Sequence, residues 1–517
     1  MDRIGKQEIR WAWVILLLGL VVLLFMTLPP LAVDLSTVGW YGRFDLRLIK
    51  TDNLTDWVRN IVLFIPFGFG LSALFGRKRP ALSLSKWPFL NTFLLTTLFG
   101  FLLSLSIEIY QALNPYREPA LADVAANTLG AAVGSGLFLL AGQFILHSLV
   151  LLTGGTRRFM QQHKVAAGLV LLILFIGYLG LVWQGIYTLQ QQVSLANWDM
   201  RVPLSLGNVK TGELPWAGTV SELLLADEAL DVTAVSALLA GTPIEDLIDE
   251  TTNTTRATFP DNPVLIDHAG KNITFNRIEE FGASWLLTDD IIGWWAEDMR
   301  MADQFTIGLQ LAAATANQTE SGRILAMTHH PFVSNISLEQ QGTDLIILLR
   351  TVLAGENDKR PEWVLPNFFE DTNPHFVVLT FDGQSLNLYR DASNESWQIP
   401  YTADIIYYRY LHPIPRWRVQ VGFSLWLYRL LFYLLTAVPL GLFWGAFVAL
   451  WPRRWLQVLM LVLGVILVGG GLETALILPR ADLRWGRVLL GTGVTAVTAI
   501  WTIRQMSRWL LSTAPVG

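Results

Sequence analysis

The chain has 517 residues, 52% of them hydrophobic, and a mean hydropathy of +0.42, which is high for a protein that is soluble throughout. It contains no cysteine, so disulfides, thiolate metal sites and cysteine nucleophiles are excluded. The net charge is −5 and no basic stripe is present, so the composition predicts no nucleic-acid partner.

The charges are divided unevenly along the chain. Leu189–Pro415 carries 31 acidic and 12 basic residues, a net of −19, whereas the remainder carries 11 acidic and 25 basic residues, a net of +14. This asymmetry predicts three parts: an N-terminal membrane region of about five helices at 1–188, an acidic domain at 189–415 and a C-terminal membrane region of about three helices at 416–517.

Eight segments are long and apolar enough to span a bilayer, which requires about 20 mostly apolar residues. The first has no small-x-small cleavage site after it, so we interpret it as a retained helix. The predicted spans are Trp11–Val33, Trp57–Phe75, Pro88–Tyr110, Val124–His147, Val165–Thr188, Phe423–Trp451, Leu456–Leu478 and Val488–Trp509.

Lysine and arginine predict the direction of these spans. Basic residues precede the first span and follow every second span thereafter, near Arg77, Arg157, Arg453 and Arg504. Because cytoplasmic loops are enriched in Lys and Arg, we expect a plasma-membrane protein with both termini in the cytoplasm and residues 189–415 outside it. Two loops on the opposite side also carry arginines and do not follow this rule.

A run of polar and small residues interrupts the second, third and fourth spans. A carboxylate close to hydrocarbon is costly without a partner or water, so Glu108 predicts a functional site, although a side chain that merely reaches the headgroups would look the same. Arg117 could pair with Glu108 or Asp123. Glycines four residues apart predict close helix packing. The polar residues are Asn60, Glu108, Gln111, Arg117, Asp123 and Asn127, and the packing glycines are Gly68, Gly130 and Gly134.

These residues resemble the VanZ family of membrane proteins. The resemblance rests on the order and spacing of Asn60–Gly68, Ile107–Gln111, Arg117 and Asp123–Gly134, and it covers about Leu28–Leu140. The family is named for an accessory protein of glycopeptide-antibiotic resistance, so the resemblance implies work in the cell envelope by a small membrane module, without a defined reaction.

The last three spans allow two interpretations, a degenerate second copy of this module or chance similarity in apolar sequence. Pro439 and Gly441 are spaced like Pro66 and Gly68, and Glu473 ends its span as Glu108 does. In the alignment suggested by the spacing of arginine and glycine, Gly486 and Leu490 would replace Asp123 and Asn127.

The acidic domain is predicted to be all β. Short alternating segments such as Leu345–Arg350 and His375–Phe381, separated by turn signals, favour a single jelly-roll sandwich. The segments resemble laminin-G-like, concanavalin-A-type domains. The unit that usually ends that fold comes first here, at Leu206–Leu230, so we expect a circular permutation. Leu204–Leu206 and Val220–Leu224 should then pair as β-strands with the strands near the C-terminal side of the domain.

No catalytic or metal site is predicted in this domain. The Glu-x-Asp-x-Glu triplet of laminarinase-type relatives is missing. No spacing specifies a metal site or a cofactor, although acidic loops leave Ca²⁺ binding open. Trp285, Trp294 and Trp295 are candidates for ligand binding if exposed, or for the core if not.

Two functions remain open. The first is a non-catalytic envelope protein, linked to glycopeptide tolerance, that presents a recognition domain for a surface glycan, a peptidoglycan precursor or an envelope protein, in contact with membrane lipids. The second is a membrane enzyme or transporter for a lipid-linked substrate that uses Glu108, Arg117 and Asp123. The sequence specifies neither the ligand nor the oligomeric state, and it does not decide whether a reaction is catalysed.

Overall fold

The structure is a computed structural model that describes residues 3–28, 45, 54–76, 88–113, 119–248, 252–266, 270–280, 282–330, 333–354, 361–411, 418–478 and 484–511. It divides into two compact units. Unit 1 is Met1–Val170 with Arg504–Gly517, and unit 2 is Leu171–Ile503.

The N-terminal helices are α1 (Arg3–Thr27), α2 (Leu54–Phe75), α3 (Pro88–Ala112), α4 (Leu121–Gln162) and α5 (Lys164–Gln191). All five are long and apolar enough to cross a membrane, as predicted. The prediction for the fourth was wrong in one respect, because α4 continues through the expected basic loop to Gln162. That stretch contains no proline, so nothing interrupts its backbone hydrogen bonds.

The central domain contains two sheets. The nine-stranded sheet has the order β15-β11-β10-β9-β8-β1-β6-β5-β4, and the six-stranded sheet has the order β14-β13-β12-β7-β2-β3. Three short helices accompany them: α6 (Val232–Leu239), α7 (Gly293–Ala302) and α8 (Ala403–Leu411). The strands are β1 Leu204–Leu206, β2 Gly218–Ala226, β3 Thr254–Thr258, β4 Val264–Ile266, β5 Asn272–Glu280, β6 Ala283–Thr288, β7 Phe305–Ala313, β8 Gln318–His330, β9 Val333–Gly342, β10 Asp344–Leu349, β11 Glu362–Leu365, β12 His375–Phe381, β13 Ser385–Arg390, β14 Ala392–Pro400 and β15 Arg418–Gln420.

The first strands of the domain join both sheets, but the prediction that they pair with strands near the C-terminal side of the domain was wrong. In β1, Ser205 lies opposite Leu287 of β6 and Ala326 of β8. In β2, Leu224 lies opposite Gly308 of β7. The strands near the end of the domain are not their direct neighbours, however, because β7 lies between β2 and β12.

Aromatic side chains form the core between segments that are distant in sequence. The Nε1 of Trp363 in β11 donates to the hydroxyl of Tyr401 at 2.6 Å. The same Tyr401 ring packs edge-on against Phe381 of β12, 5.8 Å between centroids. Tyr401 is fully buried, and this burial raises its pKa well above the ordinary value of 10.0. These rings therefore connect the two sheets through a neutral, hydrogen-bonded phenol.

The domain continues directly into the last three helices, α9 (Phe423–Ala449), α10 (Arg454–Ile477) and α11 (Trp485–Leu511). All three are long and apolar enough to span a membrane. Two contacts within unit 2 join this region to the central domain. Arg429 Nε of α9 donates to Asp404 Oδ2 of α8 at 3.0 Å, and Arg484 Nη2, just before α11, donates to Gln398 Oε1 of β14 at 3.0 Å. The sheet itself extends past the predicted limit at Pro415 to β15.

Candidate functional site

The predicted polar residues of unit 1 meet where α2 begins, α3 ends and α4 begins. Glu108 is only 1% exposed, and its Oε2 accepts a hydrogen bond at 2.9 Å from the backbone N–H of Ala120. Ala120 is the residue immediately before α4, so its N–H has no partner within the helix. The carboxylate of Glu108 therefore caps the approach to α4 from the end of α3.

Two amides connect the same helix ends. Asn60 of α2 donates through Nδ2 to Asp123 Oδ1 at 2.9 Å, and Asn127 of α4 donates through Nδ2 to Ser104 Oγ of α3 at 2.9 Å. We call Asn60, Ser104, Glu108, Asp123 and Asn127 the α2–α4 polar cluster. The side-chain hydrogen bonds of this cluster connect α2, α3 and α4 and fix their positions relative to one another.

Asn127 leaves one polar atom without a bond. The residue is 3% exposed, and its Oδ1 is buried without a hydrogen-bond partner among the described residues. An unmade hydrogen bond at a buried oxygen costs about 1–3 kcal/mol. The cluster therefore contains an acceptor that a donor from a ligand or water molecule would satisfy.

Neighbouring contacts fix the entry to α4. Asp45 donates its backbone N–H to Pro119 O at 2.9 Å, and its carbonyl accepts from Leu121 N at 3.0 Å. Gln111 does not join the cluster through a described hydrogen bond; its Nε2 donates to Thr27 O, at the end of α1, at 3.0 Å. Gln111 therefore links α3 to α1.

Glycines allow α2 and α4 to approach at backbone distance. A Cβ at Gly68 would lie 2.8 Å from Ala131 Cα, one at Gly130 would lie 2.9 Å from Phe64 Cβ, and one at Gly134 would lie 2.8 Å from Phe69 N. Real Cβ atoms essentially never come within 3.0 Å of another heavy atom. At these three glycines α2 and α4 are therefore in close contact, and this contact brings Asn60 within reach of Asp123.

Arg117 lies outside the described residues, so its pairing with Glu108 or Asp123 stays a prediction. Sequence reasoning missed a second polar contact between the same helices. The Oγ of Ser72 bonds Ser135 Oγ at 2.7 Å and Thr96 Oγ1 at 2.8 Å, and all three residues are fully buried. The signal was present, because Ser72 lies one helical turn after Gly68 and Ser135 follows Gly134.

A comparable arrangement occurs in unit 2 at the end of α10. Glu473 Oε1 accepts at 3.0 Å from the backbone N–H of Arg484, the residue before α11. The guanidinium of Arg487 donates to the same oxygen at 2.8 Å, and both side chains are less than 5% exposed. Here a buried arginine compensates the carboxylate.

Of the two alternatives left open for the three tryptophans, the structure favours the core for Trp285 and Trp295. Trp285 is 3% and Trp295 is 0% exposed, so neither ring presents a face to a ligand, while Trp294 is partly buried. Trp285 lies in β6 and Trp295 in α7, and both pack into the domain interior because each element turns its apolar side inward.

One histidine of the β-domain is held between two carboxylates. The Nδ1 of His375 lies 2.5 Å from Asp391 Oδ2, and its Nε2 lies 3.0 Å from Asp371 Oδ1. Burial lowers the pKa of His375, but the hydrogen bonds to Asp391 and Asp371 outweigh it, so the pKa is raised above its ordinary value of 6.5. The described residues contain no group of three or more His, Asp or Glu that could hold a metal ion.

Within the described part of the chain, eight apolar helices and a two-sheet domain between them define a multi-pass membrane protein. Within it, residues 13–142 match the VanZ/LLP1 family model, and the α2–α4 polar cluster lies wholly inside this segment. The chain is 26% identical to Protein VanZ of Enterococcus faecium over 167 residues, which is 32% of this chain and 89% of that protein. No solved structure matches the chain. The segment 13–142, which runs from α1 into α4, is thus VanZ-like.

Proposed function

We propose that the protein is a non-catalytic component of the bacterial cell envelope, in which VanZ-like helices contribute to tolerance of glycopeptide antibiotics and the β-domain recognises an envelope ligand. The observation that supports this proposal most directly is the coincidence of the α2–α4 polar cluster with the VanZ-like segment. A buried carboxylate and an unsatisfied amide oxygen inside membrane helices are costly, so their presence favours a functional role over helix packing.

The β-domain supplies the recognition part of this proposal. Its two sheets are compatible with a laminin-G-like, concanavalin-A-type sandwich that begins with the circularly permuted unit Leu206–Leu230. Domains of this architecture present loops at the ends of the sheets, and such loops tolerate the variation that ligand specificity needs. The ligand classes that fit an envelope location are a surface glycan, a peptidoglycan precursor or another envelope protein.

The test of the VanZ-like role compares two Glu→Gln variants expressed from the full chain. Glu108→Gln should remove glycopeptide tolerance while the protein still accumulates in the membrane. Glu245→Gln changes an exposed carboxylate of the β-domain and should leave tolerance unchanged. Full tolerance in the Glu108 variant would overturn the proposed role of the cluster.

The placement of the β-domain outside the cytoplasm is part of the proposal and rests on the distribution of Lys and Arg. Because the chain has no cysteine, single cysteines can report it directly. Cysteine at the exposed position Glu245 should react with an impermeant maleimide in intact cells, whereas cysteine at the exposed position Arg158 should react only after lysis. The opposite pattern would reverse the orientation.

A second candidate is an enzyme or transporter that handles a lipid-linked substrate at the cluster. The unsatisfied Oδ1 of Asn127 favours it, because a substrate hydroxyl or amide could bond there. Glu108 would exchange a proton, and Asp123 with Arg117 would hold the headgroup. This candidate predicts that Asn127→Ala lowers turnover or transport of such a substrate in reconstituted vesicles, whereas the non-catalytic role predicts no turnover in either protein.

We also propose that α9–α11 repeat the arrangement of α2–α4. Glu108 and Glu473 both accept from the backbone N–H just before the next helix. Counted from the N–H donors Ala120 and Arg484, Ala131 and Thr495 are equivalent. Ala131 lies against Gly68, and Thr495 together with Thr498 lies against Gly441.

In this alignment, Arg487 takes the place of Asp123, one residue after the position suggested by sequence spacing. The second copy has therefore exchanged a carboxylate for a cation and formed a closed ion pair with Glu473. In this proposal, α9–α11 hold the β-domain at the membrane. Arg429 of α9 and Arg484, just before α11, form hydrogen bonds to that domain.

A further inference from the structure

Unit 2 contains a cavity of 520 Å³ where the β-domain meets the ends of α5 and α10. This volume lies within the range of about 300–1,000 Å³ that is typical of small-ligand sites. The walls come from the last residues of α5, the turn between β12 and β13, and the end of α10 at Leu478. The polar residues among its lining are Tyr187, Gln190, Gln191, Ser194, Asp303 and Gln384.

Hydrogen bonds hold these walls in place. After α5 the chain is fastened to the loop after β10, because Leu353 N donates to Gln192 O at 2.9 Å and Val352 N donates to Ser194 O at 3.1 Å. Tyr401 N donates to Gln384 O at 2.7 Å. These hydrogen bonds fix the backbone segments that carry the lining side chains. A ligand would therefore bind to walls that are already ordered, which reduces the entropy lost on binding.

The turn that carries Gln384 is itself rigid. Asp382 accepts through Oδ1 from the backbone N–H groups of Gln384, at 2.8 Å, and Ser385, at 2.7 Å. Gly383, between them, has φ +82°, a conformation that side chains rarely adopt. The orientation of Gln384 toward the cavity is therefore set by the backbone of a tight turn.

The lining is suited to hydroxyl groups. Each of the three glutamine amides can both donate and accept, as a hydroxyl can. The amide of Gln190, a residue 8% exposed, already donates through Nε2 to Leu476 O at 3.4 Å, while its Oε1 is buried without a hydrogen-bond partner among the described residues. Asp303, the charged residue among the described lining, already accepts from Leu195 N at 2.8 Å. These walls therefore favour an uncharged polyhydroxylated group over an anion.

The position of the cavity adds a second constraint. It lies at the ends of two helices that qualify as membrane spans. On α5, one turn before the cavity, Trp183 stacks on Tyr187 with the ring planes 5° apart, and both rings are partly exposed. Partly exposed Trp and Tyr at the end of a span are typical of the headgroup layer, so a lipid could reach the cavity from the side.

We propose that this cavity binds the neutral sugar headgroup of a glycolipid. The proposal rests on, and deepens, the recognition role proposed for the β-domain by assigning a site and a ligand class. In it, the three glutamines and Ser194 bond sugar hydroxyls, while the acyl chains stay along α5 and α10.

Native mass spectrometry of the full chain in nanodiscs tests the proposal. The probes are a dihexosyl diacylglycerol, phosphatidylglycerol and the free disaccharide. We expect retention of the dihexosyl lipid in preference to phosphatidylglycerol and weaker binding of the free sugar. Gln191→Ala combined with Gln384→Ala should weaken retention of the lipid about tenfold, because several hydrogen bonds are lost. Gln310→Ala, an amide outside the cavity, should change nothing.

The outcomes separate this site from the broader recognition role. Retention of the glycolipid at equal strength in wild-type protein and in the double variant would overturn the cavity as the site but leave glycan recognition by the domain intact. Preference for phosphatidylglycerol would overturn the ligand class. If the free disaccharide binds as tightly as the lipid, the sugar is the ligand and the membrane anchor is not part of recognition. If wild-type protein retains no probe, the glycolipid proposal is wrong, while tolerance in the Glu108→Gln assay still tests the VanZ-like role separately.

Discussion

The close contact between α2 and α4 can be tested with two Gly→Ala substitutions on one helix. A Cβ at Gly134 would lie 2.8 Å from Phe69 N, against about 3.4 Å for an ordinary contact, so the helices must separate by roughly 0.6 Å or more. A Cβ at Gly136 meets nothing within 4 Å. The two positions therefore differ in packing but share the same helix.

The two substitutions should change the stability of the protein in opposite directions. Overpacking costs about 1–3 kcal/mol, and alanine recovers up to about 1 kcal/mol of helix propensity, so Gly134→Ala should be destabilising on balance. Gly136→Ala should be stabilising by about 0.5–1 kcal/mol, because only the propensity changes. A difference of roughly 2 kcal/mol corresponds to a separation of several degrees in Tm.

The measurement is thermal unfolding of the full chain in detergent, followed by glycopeptide tolerance in cells. Gly134→Ala should also lower tolerance, because separation of the helices lengthens the bond from Asn60 to Asp123. Equal Tm values for the two variants would refute the close approach of α2 and α4. A lower Tm with normal tolerance would show that the contact serves folding alone.

Three further predictions concern charged side chains. Glu473→Gln should lower the free energy of unfolding by about 3–5 kcal/mol, because Arg487 would be buried without its carboxylate. Glu108→Gln should cost less, since glutamine can still accept a hydrogen bond from a backbone N–H. Equal shifts in Tm for the two variants would contradict this difference. Replacing both Glu473 and Arg487 with methionine should recover most of the loss, and no recovery would show that the pair has another structural role. Because the pKa of His375 is raised in the folded state, the protonated histidine stabilises the fold fully below about pH 6.5, and this stabilisation is lost as pH rises through the folded pKa. The Tm of wild-type protein should therefore fall more between pH 6 and 8 than the Tm of His375→Gln. Parallel curves of Tm against pH would refute the role of the histidine.

The membrane helices were predictable because length and hydropathy alone decide whether a segment can span a bilayer. The end of α4 was not, since the basic residues that mark a cytoplasmic boundary are also good helix formers. The members of the α2–α4 polar cluster were mostly identified because amides and carboxylates stand out in apolar sequence. Ser104, Ser72 and Ser135 were missed, since a serine in a membrane helix can bond its own backbone. For Ser72 and Ser135, the signal was their position close to the packing glycines.

The β-domain shows a different limit. The strands His375–Phe381 and Leu345–Leu349 follow from short apolar runs bounded by turn residues, whereas the neighbours of each strand depend on contacts between distant segments. Burial of Trp285 and Trp295 could not be read from sequence, because tryptophan is common both in cores and at binding surfaces. The partner of Glu473 was also missed, since a shift of one residue in the alignment replaces Gly486 with Arg487.

The strand β15 has a consequence for the protein at high density in a membrane. It pairs in parallel with β11, the side chain of Arg418 bonds Glu362, and the chain enters α9 shortly after Gln420. An unpaired sheet edge would invite strand addition from a neighbouring copy. At this edge the outermost strand is short and is tethered to a membrane helix, which keeps it from exchanging with a partner. Crowded copies of the protein should therefore resist edge-to-edge aggregation on this side of the domain.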